Sequence, residues 1–176
     1  CMGIECTETV EPAYCASCHS PGIDGDLHNR DLLEAQDRAF ENGVHCDVCH
    51  KVNDVDLSSE LPGVSGKLKI LRPDNSGGPL DLQNTLMFGP NPDVLNPLMG
   101  SVQRDHYQEA SFCAGCHELN QPVFVPNATI DESRWPSGLL PIHSTYSELQ
   151  SGPLTEKVSC QSCHMPPAAH TKNGAD

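Results

Sequence analysis

The sequence predicts a mostly irregular chain with a few short α-helices and little or no sheet. Three observations lead there. Its 176 residues include 14 glycines and 15 prolines, spread along the chain, and both residue types break long regular elements. Its aromatic residues are few, four Phe, three Tyr and one Trp, which is thin material for a large side-chain core. One pentapeptide pattern, C-x-x-C-H, occurs four times.

The four copies are Cys15-Ala-Ser-Cys18-His19, Cys46-Asp-Val-Cys49-His50, Cys113-Ala-Gly-Cys116-His117 and Cys160-Gln-Ser-Cys163-His164. The pattern is the attachment signature of c-type haem. On a helical turn, positions i and i+3 share a face, and i+4 lies on it too. Both thiols can then reach one porphyrin while the imidazole binds its iron. C-x-x-C pairs also build zinc sites, but zinc does not require a histidine directly after the second cysteine. With nine histidines in the chain, four such placements by chance come to roughly 7 in a million. The expectation is four covalently attached haem c, bound through Cys15, Cys18, Cys46, Cys49, Cys113, Cys116, Cys160 and Cys163. His19, His50, His117 and His164 are the expected proximal ligands. With so little polypeptide for each haem, the porphyrins are expected to form most of the core.

Taken in order, the chain reads as a single tetrahaem domain over 1–176, with dihaem repeats at 15–50 and 113–164 and a covering loop at 51–103. The repeat rests on aligned segments ahead of the second and fourth motifs. Asp31-Leu-Leu-Glu34 falls on Thr145-Tyr-Ser-Glu148, and Gln36 on Gln150. Both segments begin as capping boxes, so each predicts a helix. The first continues through Ala39 and Phe40 to Gly43; the second is cut short at Gly152-Pro153. A third short helix is predicted from about Arg104 to Phe112. In the covering loop, Gly66-Lys-Leu-Lys-Ile-Leu-Arg72 alternates enough for one short strand.

Five further histidines, His28, His45, His106, His143 and His170, are candidates for four distal positions. His106, His143 and His170 are the first three, and the fourth is divided between His45 and His28. Four methionines could replace histidine and raise the potential, although the histidine count makes that unnecessary.

The formal charge is −14, which argues against nucleic acid and anionic membranes as partners. It suits redox partner proteins with basic patches, other copies of the same chain, or extracellular metal acceptors. Haem attachment of this kind takes place outside the cytoplasm, so an exported, extracellular or periplasmic location is expected. Cys1 and Cys6 remain outside the motifs. They form either a disulfide or, alternatively, Cys1 is the lipid-anchored first residue of a lipoprotein.

Gly43-Val-His-Cys-Asp-Val-Cys-His-Lys51, Phe112-Cys-Ala-Gly-Cys-His-Glu118, Ser144-Thr-Tyr-Ser-Glu148 and Cys160-Gln-Ser-Cys-His-Met-Pro166 resemble the multihaem cytochromes c related to the nitrification tetrahaem cytochrome. The resemblance covers most of the chain from about residue 12, with Leu149 where the family usually has Trp. It implies stacked and perpendicular haem pairs and electron transfer; that the chain is no enzyme is expected instead from five spare histidines for four irons and from the acidic field. It also implies that such a chain can polymerise as a conducting filament, which requires a heterologous, repeating interface. The alternative is a reductase, or an electron-donor module of a larger enzyme complex.

Overall fold

In the computed structural model the protein is described at residues 13–21, 32, 35, 37–71, 86–92, 100–121, 127–154 and 158–166. Each C-x-x-C-H pentapeptide lies on a helical turn, as its spacing predicts. Helix α1 is Ala13–His19, α3 is Cys46–Cys49 with His50 as its C-cap, α4 is Ala110–His117 and α6 is Cys160–His164. Two more helices precede the second and fourth motifs: α2 at Asp37–Asn42 and α5 at Thr145–Ser151. These agree with the helices predicted there. The Asp31–Glu34 capping box lies largely outside the described residues.

Gly43 ends α2 with φ +55°, the left-handed conformation that favours glycine at a helix terminus. Gly152 caps α5. At the start of α5 the N-cap is Ser144, one residue earlier than the predicted Thr145, and its hydroxyl donates to Glu148 at 2.5 Å. The helix predicted over 104–112 divides at Glu109. A 3-10 turn covers Asp105–Gln108, and α4 starts at Ala110.

The expectation of a mostly irregular chain with little or no sheet is corrected by three two-stranded sheets among the described residues. Strands β1 (Val52–Val55) and β2 (Leu68–Ile70) pair antiparallel, with Val52 opposite Ile70 and Val55 opposite Leu68. Strands β3 (Met87–Gly89) and β4 (Ser101–Gln103) pair in parallel. Strands β5 (Glu118–Gln121) and β6 (Leu140–Ser144) pair antiparallel, with Leu119 opposite His143. Each strand is three to five residues long, too short for alternation to distinguish it from coil. Pairing with a distant segment makes each of them a strand. Four of the six lie in the stretch expected to be a covering loop.

A side-chain core also replaces the expected porphyrin core among the described residues. Val52, Val64 and Leu68 are buried, with Val55, Ile70, Phe112 and Cys116 packed around them. Burying a Val or Leu side chain contributes about 1.5–3 kcal/mol, so these three residues are a substantial local anchor. They join β1, β2 and the 3-10 turn Gly63–Ser65 to α4. Gly115 allows the approach, because a β-carbon there would collide with Cδ2 and Cγ of Leu68. Gly63, at φ +52°, likewise brings its turn against α1, where a β-carbon would meet the Ser17 carbonyl and the Cys18 sulfur.

The candidate cysteine–histidine sites

Helix α4 is where the motifs converge. The Cys116 thiol lies close to Cys18 of the first motif, and the Cys113 thiol close to Cys160 of the fourth. Cys49 of the second motif is close enough to raise both Cys113 and Cys116 electrostatically. Thiols from motifs far apart in the chain therefore share one neighbourhood. The third motif lies in the middle of it.

Their environments differ. The neighbouring Cys116 thiol lowers the pKa of Cys18 below the ordinary thiol value, and Ser17 and the Lys67 ammonium add to that against the cost of burial. Cys116 is raised by the same contact and by burial. Cys113 is pushed up to about 11, by burial first and then by the charge of Cys160. Burial also raises Cys49. A thiolate is the nucleophile and the ligand form of cysteine, and the neighbours of Cys18 favour that form. Lys67, itself buried, donates from Nζ to the Glu118 carbonyl at 2.5 Å, which holds the ammonium between α1 and β5.

All four motif histidines, His19, His50, His117 and His164, are exposed. The structure brings His117 together with His143, their ring centroids 6.2 Å apart and the planes at 67°. Sheet register explains the meeting. His143 is the cross-strand partner of Leu119, and His117 immediately precedes β5. The Ser147 amide donates to the Glu118 carboxylate at 3.0 Å, and the Ser147 hydroxyl bonds the same group, tying α5 to the end of α4.

His106 is placed differently. Its ring stacks on Tyr107 and Phe112, with centroids 4.7 and 5.7 Å away, and Nε2–H donates to the Val52 carbonyl at 3.3 Å. Burial lowers its pKa. His45 has a buried Nε2 without a hydrogen-bond partner, an arrangement that calls for an explanation in any folded protein. His28 and His170 lie outside the described residues, as do Cys1 and Cys6.

These placements correct the tetrahaem expectation. It required four bis-histidine sets closed around irons that themselves make the core. Among the described residues the core is made of side chains such as Val52, Val64, Leu68 and Phe88, one edge-to-face histidine pair is assembled, and His106 has its Nε2 engaged by backbone. No group of three or more His, Cys, Asp or Glu among these residues is placed to hold a metal ion. Four haem c groups, the multihaem cytochrome family and electron conduction through such a wrap are accordingly not assigned to this chain. Among the described residues, no helix is long and apolar enough to cross a membrane.

Large apolar side chains lie exposed beside the motifs. Phe40 is 76 % exposed and Val44 53 %, just ahead of Cys46; Ile142 (50 %) precedes His143, and Met165 (66 %) follows His164. Sequence reasoning found the cysteines and histidines but missed the strands that bring His117 to His143. The one local signal was the alternation of Leu140, Ile142 and Ser144 in β6. No family model matches the chain, and no curated protein or solved structure matches it either.

Proposed function

We propose that the C-x-x-C-H helices are the working sites of an exported protein and that their thiols and imidazoles hold a redox-active group with an apolar face. The convergence of cysteines from all four motifs on α4 carries this reading. Exposed imidazoles flanked by Phe40, Val44, Ile142 and Met165 support it, because such side chains are costly to leave in water and would be covered by an apolar ligand. In this reading the chain carries out no catalysis of its own. The formal charge of −14 favours partner proteins that present basic patches.

A second reading is favoured by the Cys18–Cys116 contact, namely a thiol–disulfide pair between the first and third motifs. Its formation needs a disulfide-bearing oxidant that accepts two electrons and two protons as the sulfurs join.

Intact mass of protein exported by a living host, measured with thiol titration, decides between them. A mass above the 19.0 kDa of the chain, reduced stepwise as each motif's cysteines are changed to serine, is the expected result. A mass lowered by two hydrogens for each pair of lost thiols would favour the disulfide reading. A bare chain with every motif thiol free would overturn both.

A further inference from the structure

We infer that residues 86–89 are a positioning clamp for His50, in which the Phe88 carbonyl fixes the imidazole as the Nδ1–H tautomer and leaves the Nε2 lone pair facing outward. The geometry of the clamp stands by itself; its use rests on the reading of C-x-x-C-H as a working site.

His50 Nδ1 lies 2.7 Å from the Phe88 carbonyl oxygen. A carbonyl can only accept, so Nδ1 must carry the proton. A neutral imidazole has one N–H, which makes Nε2 the nitrogen able to bind a ligand. A ring hydrogen bond of this kind is how proteins orient a ligating histidine and raise its basicity. Phe88 also engages the backbone of the same residue, since its amide donates to the His50 carbonyl at 2.8 Å. Two hydrogen bonds between the same two residues fix both the position and the rotation of the ring.

The clamp is secured at each side. Lys51, next to His50, is buried and donates from Nζ to the Leu86 carbonyl at 2.6 Å. Phe88 is 3 % exposed, and the Arg104 guanidinium lies 5.1 Å from its ring centroid. Arg104 in turn donates through Nη2 to the Asn53 side chain at 2.8 Å, and its amide donates to the Gly89 carbonyl at 2.9 Å. Tyr107 completes the frame, its hydroxyl donating to the Cys49 carbonyl at 2.5 Å. The β3 segment of the supposed covering loop is therefore built against one histidine.

The test is nitrogen-15 magnetic resonance of the full chain labelled at histidine, with amide exchange read at Phe88. The expected result is a single Nδ1–H tautomer for His50 and a protected Phe88 amide. In Arg104→Leu the ring becomes a tautomer mixture and Phe88 exchange rises about tenfold or more, since local opening sets exchange; Arg104→Lys restores part of both. Phe88→Leu, which keeps the backbone groups, retains the Nδ1–H form. An Nε2–H tautomer in the unaltered protein overturns the clamp, as does an Arg104→Leu protein with both readouts unchanged. If Arg104→Leu does not fold, the tautomer of the unaltered protein still decides. A bare-chain mass alongside an Nδ1–H His50 would defeat the proposed function and leave the clamp standing. The reverse pair of results would defeat the clamp alone.

Discussion

The third and fourth C-x-x-C-H helices share three fixed residues and little else. In α4 the intervening Ala114 is fully buried and Gly115 lies against Leu68. Cys116 packs on the aliphatic core while it meets Cys18. In α6 no residue is buried, and Cys163 and His164 are exposed. That helix is held at its edge, by Gln161 donating from Nε2 to the Glu109 carbonyl at 2.7 Å and by the Cys160–Cys113 contact. The difference comes from the two residues between the cysteines and from what packs there. Ala-Gly permits close approach to β2, whereas Gln161 and Ser162 each bond one backbone carbonyl, those of Glu109 and Ser159, and Ser162 is exposed. The pentapeptide therefore sets a helical turn, and its neighbours decide whether that turn is core or rim.

This contrast can be broken most directly at Leu68. Leu68→Ala should cost about 2–5 kcal/mol, the range for a buried leucine left as a cavity, read as a lowered urea midpoint. A loss as small as that of a surface change would mean that α4 is not seated on the β1–β2 sheet. Gly115→Ala should cost about 1–3 kcal/mol through overpacking against the Leu68 methyls. The matched change in α6, Ser162→Ala, removes a hydroxyl that donates to the Ser159 carbonyl at 2.6 Å. It should stay within about 1 kcal/mol, so equal effects at the two positions would erase the distinction.

Tyr107→Phe probes the link from the third motif to the second. The tyrosine hydroxyl lies 2.5 Å from the Cys49 carbonyl and 3.0 Å from that of Val52. Its loss should cost about 1 kcal/mol and increase amide exchange around α3. An unchanged exchange pattern would show that the bond orders nothing. The smallest effect is expected at Met165→Ser, within about 0.5 kcal/mol for a surface position. If the proposed apolar ligand covers Met165, the same variant should lose ligand retention while keeping its unfolding midpoint. Retention unchanged would place the ligand elsewhere.

The helical turns were legible in the sequence because their causes are local. A thiol–thiol–imidazole spacing of i, i+3 and i+4, glycine at the end of α2 and Gly152-Pro153 after α5 need no distant partner to be read. The Leu68–Ile70 strand was legible for the same reason, as part of an alternating run. The other five strands were not, since Val52–Val55 or Glu118–Gln121 acquires its conformation only from the segment it pairs with. The candidate site divides along the same line. Sequence supplied every cysteine and histidine, including His143. It took tertiary structure to put Cys18 on Cys116, to turn His143 toward His117 across a sheet, and to engage His106 Nε2 with the Val52 carbonyl. Composition alone suggested that a chain with so few aromatic residues needed something other than side chains as its core. Among the described residues Val52, Val64 and Leu68 form an aliphatic cluster instead, because strand pairing brings Val52 and Leu68 together and the 3-10 turn Gly63–Ser65 adds Val64 against α4.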